Sequence, residues 1–197
     1  MSDPSAASPP SIKRPPIDVL QKVLADVLEN GFAYRSLRAI AETSGISHRM
    51  LIYHFGSQDG VWAAIIEHAR STEQAAFAEG SEAVQCLVTL RTFLDGLWQR
   101  YSSAEALRFY QLHIEVYGYA LRHREAAGAF LDGVVTGWLE RLQQVFQRAG
   151  FDLPTARQRT RLLLAATRGF HLDLLTTGNR EGVEAAVTAM LEAVTAP

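Results

Sequence analysis

From Ile17 onward the apolar residues of this chain return at helical spacing, and that property restricts the fold more than any other. Ile17, Leu20, Leu24, Val27 and Leu28 fall on one stripe, with Asp18, Lys22, Asp26 and Glu29 mostly away from it. Gly31 stands where this first helix needs a C-terminal cap. The same period runs beyond Gly80 to about Leu121, from about Ala126 to Ala149, from Pro154 to Thr177 and from Arg180 to Ala193. Breaks fall between Gly150 and Pro154 and at Gly178. No run of alternating β-branched residues bounded by turn signals interrupts these stretches, so the pattern predicts an all-α fold.

Between Gly31 and Gly80 the spacing is tighter. Ser36 is placed to cap a short helix carrying Leu37, Ile40 and Ala41, and Ser47 to cap a second carrying Leu51 and Phe55. Ser57 opens a longer fourth helix, with Asp59 in its first turn and Val61, Trp62, Ile65, Ile66 and Ala69 on its apolar face, and Gly80 and Ser81 close it. Two short helices in close contact need a small residue where they approach, a turn residue free to take positive φ, and an apolar residue locking the second helix to the first. Ala41, Gly45 and Leu51 meet those needs, and Ile40 and Ile46 add contacts to the first helix. The result is a helix-turn-helix within a compact three-helix unit.

Composition limits what such a unit can do. The hydrophobic content of 48% is ample for a core, and the net charge of -2 argues against coating nucleic acid by bulk charge, so any DNA contact must use a local patch. Residues 1–16 are rich in Ser, Ala and Pro, with no apolar stretch of a secretory signal, and are expected to form a disordered arm. No apolar run approaches the length of a membrane span, which points to a cytoplasmic protein. The single cysteine, Cys86, rules out an intrachain disulfide and is expected to be a small buried core residue. The expected organisation is an arm over 1–16, a helix-turn-helix domain over 17–60 and a larger helical domain over 61–197.

The segments Ser36-Leu37-Arg38-Ala39-Ile40-Ala41, Gly45-Ile46-Ser47 and Leu51-Ile52-Tyr53-His54-Phe55-Gly56-Ser57 together resemble the TetR family of transcriptional regulators, from about Ile17 to Ile66. The Tyr-x-His-Phe-like end of the second short helix, followed by a serine-capped helix, is more specific than a generic helix-turn-helix. The resemblance implies that the helix from Ser47 to Phe55 lies in the major groove, with Ser47, His48, Arg49 and Tyr53 as candidate DNA contacts. Arg49 has the donor geometry for guanine O6 and N7. Ser36 and the amides beside it suit a phosphate, Arg35 and Arg38 add charge nearby, and His54 is divided between phosphate contact and packing. Each of these is equally an ordinary solvated residue outside such a motif. Two family residues that commonly hold phosphates are replaced, by Ile52 and Gln58. Lys13 and Arg14 in the arm are placed to compensate through the minor groove.

By the same resemblance the remaining helices form a ligand-binding and dimerisation domain. The helices from about Ala126 to Ala149 and Pro154 to Thr177 would pair in a homodimer, with Gly133, Gly137, Ala165, Ala166 and Gly169 permitting close approach. Two-fold symmetry implies a palindromic operator in double-stranded DNA. Any one of Trp98, Tyr101, Phe109, Tyr110, His113, Tyr117, Trp138, Phe170 and His171 fits an ordinary core. As a group, rings with polar tips suit a pocket for a small, largely apolar effector. His113 with Glu115 and His171 with Asp173 stand two residues apart, on different helix faces, so no metal, cofactor or catalytic site is expected there. The leading expectation is a repressor released from DNA by its effector and without enzymatic activity. The alternative is a helical dimer that binds a small molecule or protein with weak or lost DNA binding.

Overall fold

The computed structural model describes residues 15–31, 35–122 and 124–197. The arm with Lys13 and Arg14 lies outside these apart from Pro15 and Pro16, as do the side chains of Ile66 and Ala69. Among the described residues there are nine α-helices and no strand. They are α1 (Ile17–Asn30), α2 (Leu37–Ser44), α3 (His48–Phe55), α4 (Gln58–Ser81), α5 (Leu87–Tyr101), α6 (Ala104–Arg122), α7 (Arg124–Arg148), α8 (Leu153–Thr177) and α9 (Arg180–Thr195). No described helix is long and apolar enough to cross a membrane. Two compact units divide at Ser71 and Thr72, inside α4.

In the first unit α1 packs on α2 and α2 on α3. The buried face of α1 is Val19, Leu20, Val23, Leu24 and Val27. That face is rotated from the sequence-predicted stripe, since Ile17 is the first helical residue and is 56% exposed. Ile40 and Ala41 of α2, Ile46 of the turn, and Leu51 and Phe55 of α3 are buried too, as are Val61, Trp62 and Ile65 of α4.

The second unit is organised about α8, which packs against α6, α7 and α9. Asp152 caps it by accepting a hydrogen bond from the Thr155 amide at 2.8 Å, and Gly178 ends it in the left-handed region at φ 66°. Both signals are local, and the boundary lies within a residue of the expected one. Leu90, Leu94, Val145, Phe146, Leu163 and Leu191 lie in its continuous core.

Two expectations are corrected here. The stretch beyond Gly80 to Leu121 is not continuous helix: α4 ends at Ser81, as expected from Gly80 and Ser81, but α5 and α6 are separated at Ser102 and Ser103. The Ser103 hydroxyl accepts from the Ala106 amide at 3.2 Å and caps α6, while Arg180 of α9 donates to the Ser102 carbonyl at 2.7 Å. Cys86 is exposed rather than buried, because it is the N-cap of α5. Hydrogen bonding from Thr89, chiefly its backbone amide, holds the Cys86 thiol below its usual pKa.

Candidate nucleic-acid interface and aromatic clusters

Each of the two short helices is opened by a serine cap. Ser36 accepts from the Ala39 amide and Ser47 from the Met50 amide, both at 3.2 Å. Gly45 takes φ 69° and ψ 22°, and a Cβ there would meet open space, so glycine is required by backbone conformation rather than by crowding. With Ala41 at 5% exposure and Leu51 at 0%, the closest approach of the two helices is apolar and filled.

Burying Leu51 and Phe55 turns the opposite face of α3 outward. Ser47, His48 and Arg49 are exposed, Tyr53 is 69% exposed, and His54 is half-buried with its ring edge-on to Tyr53 at 4.9 Å. Met50 and Ile52, each 43% exposed, share this surface and were not among the sequence-derived candidates. Such exposed apolar side chains in a row of polar ones suit contact with a thymine methyl. The legible signal was the four-residue interval from Leu51 to Phe55, which leaves positions 50, 52 and 53 off the buried stripe.

Arg38 is exposed and pairs with Glu42 at 3.4 Å, a solvated contact that leaves its charge available. Arg35 is placed differently. Its guanidinium meets the Asp26 carboxylate at 3.0 Å, with side-chain exposures of 16% and 4%, and also bonds the Gly31 carbonyl at 3.0 Å and the Thr43 hydroxyl. The donors expected to face phosphate are engaged in holding α1 to α2. Gln58, at the start of α4, donates to the Arg35 carbonyl at 2.7 Å, so this replacement has a structural partner of its own. Ser57 caps α4 by accepting from the Gly60 amide at 3.1 Å.

In the second unit the expected aromatic group separates into two sets. Trp138 lies 5.5 Å from Phe77 and 6.2 Å from Tyr101, and Phe77 lies 5.3 Å from Phe93. Phe77 and Phe93 were not among the candidates. The other set runs from Phe170 to Trp98 at 6.2 Å, Trp98 to His171 at 5.2 Å, His171 to Tyr110 at 4.6 Å, Tyr110 to His113 at 5.8 Å and His113 to Tyr117 at 6.0 Å. A hydrogen bond between His171 and the Tyr101 backbone joins the two sets. Phe109 is half-buried on α6.

Burial, reinforced by Arg168 and His171, lowers the His113 pKa to about 4, and burial lowers that of His171 to about 4 against the pull of its Tyr101 bond. Both rings are therefore neutral near pH 7. Burial raises the Tyr110 hydroxyl, which donates to the Arg168 carbonyl at 3.1 Å. Asp173 accepts from the Thr177 hydroxyl at 3.0 Å. Among the described residues no group of three His, Cys, Asp or Glu side chains is gathered as a metal site would need.

A cavity of about 310 Å³ lies beside Phe77, lined also by Ala78, Ser81, Arg141, Gln144 and Arg148. It was missed in the sequence, although Arg141, Gln144 and Arg148 recur at helical spacing on α7. Along α8, Leu162 at 53% and Leu172 at 52% exposure flank exposed Ala165 and Gly169 at the same helical period.

The architecture is that of solved transcriptional regulators. One such regulator, from Rhodococcus sp. Rha1, superposes with a TM-score of 0.73 and 18% identity over 89% of this chain and 93% of its own. The multidrug binding protein EbrR, solved in complex with imidazole, superposes with a TM-score of 0.55 and 23% identity over 87% of each chain. At these identities the likeness establishes the fold. No protein-family model matches the chain, and no curated protein does.

Proposed function

We propose that this chain is a DNA-binding transcriptional regulator of the TetR type, a homodimer that reads a palindromic operator through α3 and leaves it when a small, largely apolar effector binds the second unit. The observation that carries this reading is the outward face of α3. Arg49 and Tyr53 project from a helix anchored underneath by fully buried Leu51 and Phe55, and both short helices have their serine N-caps made. Ser36, Arg38, Ser47, His48 and His54 supply further donors at its edges, and Arg35 serves as the strut that holds α2. No enzymatic role is assigned.

The aromatic sets in the second unit supply a surface for an apolar effector, and a fold neighbour is itself described as a multidrug binding protein. Displacement of α4 by the effector would act on α2 through Gln58 and the Arg35 carbonyl. A coupling of about 1–3 kcal/mol is enough for a roughly 5–150-fold change in operator affinity. A second reading, a helical dimer with weak or lost DNA binding, is favoured by Ile52 and Gln58, neither of which offers a cation to phosphate.

Selection of bound fragments from random DNA, followed by mobility shift, separates the two. The proposed regulator enriches a palindrome, and Arg49→Ala and Tyr53→Ala each abolish the shift while sedimentation still reports a dimer. Failure to enrich any sequence at low salt, or retained binding in both variants, removes α3 as the recognition element.

A further inference from the structure

Trp98 is 5% exposed and His171 is 8% exposed, yet the indole Nε1 and the imidazole Nε2 are both buried without a hydrogen-bond partner among the described residues. A buried polar atom left unsatisfied costs about 1–3 kcal/mol, so two on adjacent rings need an explanation. The rings stack with centres 5.2 Å apart and planes within 22°.

The two atoms are of opposite kind. Indole Nε1–H is a donor only. The imidazole already bonds the Tyr101 backbone, and since Nε2 is the partnerless nitrogen, that bond belongs to Nδ1–H. A neutral ring with its proton on Nδ1 carries a lone pair at Nε2, which makes it an acceptor.

Half-buried Phe170 lies 6.2 Å from Trp98 and half-buried Tyr110 4.6 Å from His171, so both rings of the pair have an aromatic neighbour. The Arg168 guanidinium acts electrostatically on Tyr110 and His113 of this set, donates to the Val134 carbonyl at 2.6 Å and lies 5.9 Å from the centre of Tyr117. That placement disfavours a cationic ligand. A carboxylate can answer the indole N–H but has no proton for Nε2. A hydroxyl accepts and donates at once, and the surrounding rings favour an aromatic carrier.

We propose that Trp98 and His171 form the polar anchor of a site for uncharged phenolic compounds, the phenol oxygen accepting from Trp98 Nε1–H and its proton directed to His171 Nε2. This rests on the reading of the second unit as the effector-binding part and narrows it to one ligand class.

Titration calorimetry of the full chain near neutral pH with 4-methylphenol, toluene, 4-methylbenzoate and 4-methylbenzylammonium tests it. The phenol should bind at least about tenfold more tightly than each of the others. Trp98→Phe and His171→Phe should each lower phenol affinity toward that of toluene while leaving toluene within about twofold. Circular dichroism checks that the variants are folded, and if neither is, the comparison of the four ligands on the unaltered chain decides. Equal binding of toluene and the phenol, tighter binding of the carboxylate or ammonium, or binding of none overturns the proposal. Operator release is scored in parallel. A phenol preference without release refutes the effector reading and leaves the site standing, whereas release by toluene at equal potency does the reverse.

Discussion

Arg35 and Asp26 illustrate how a residue's chemistry is decided by its neighbours. Nine positions apart, they meet at 3.0 Å with both side chains largely out of water, and Arg35 also ties the Gly31 carbonyl and Thr43. Removing one partner strands the other charge, a loss of about 3–5 kcal/mol for a buried pair. Arg35→Ala and Asp26→Ala should therefore each unfold the first unit at distinctly lower urea concentration. An Arg35→Ala chain of unchanged stability but abolished DNA binding would instead return Arg35 to the phosphate contacts. Nothing in the sequence distinguished it from Arg38, because the distinction depends on Asp26 facing inward from α1.

Half-buried His113 and buried His171 carry a pH dependence of definite sign. In the unfolded chain each binds a proton as pH falls through about 6.5, whereas in the folded protein each resists until about 4. The unfolded state binds more protons across that window, so stability is complete above it and declines as pH falls from 6.5 toward 4. Thermal melts should show a lower Tm near pH 5 than near pH 7, with a smaller difference in His113→Phe. An equal difference in the variant would remove His113 from the account.

Among elements, the junction of α3 and α4 leaves no room for a side chain at Gly60. A Cβ at Gly60 would stand 1.7 Å from the Phe55 carbonyl oxygen, a backbone atom that cannot rotate aside. Gly60→Ala must therefore push α4 away from the end of α3, an overpacking cost of about 1–3 kcal/mol or more. At Gly45 the space is open and only the positive φ resists substitution, about 1–2 kcal/mol. Paired denaturation curves should rank Gly60→Ala as the more damaging, with DNA affinity reduced as well because α3 loses its seat. The reverse order would mean that α4 yields easily. Gly45 was legible from the sequence because a turn announces its φ locally. Gly60 was not, since its neighbour is a carbonyl whose position depends on how α3 ends.

At the scale of the whole molecule, α8 leaves Leu162, Ala165, Gly169 and Leu172 exposed in one row. The small residues in the middle permit close helix approach and the flanking leucines supply apolar area, as a two-fold interface requires. If the proposed homodimer pairs through this row, Leu162→Glu with Leu172→Glu should convert it to a monomer with unchanged helical content and abolish the proposed operator shift. A double variant that remains dimeric would place the interface elsewhere.

What the sequence determined by itself is what acts within a turn or two of chain. The helical period, the serine caps at 36, 47 and 57, the glycine turn at 45 and the burial of Ala41 and Leu51 each depend on residues fewer than a dozen positions apart. Tertiary structure decided the rest. It selected Val19 and Val23 over Ile17 for the core, turned Arg35 inward, exposed Cys86, and sorted one aromatic list into two sets. The physical reason is range: Tyr110 finds the Arg168 carbonyl 58 residues away, and Arg180 the Ser102 carbonyl 78 away, through helices whose packing no local periodicity specifies.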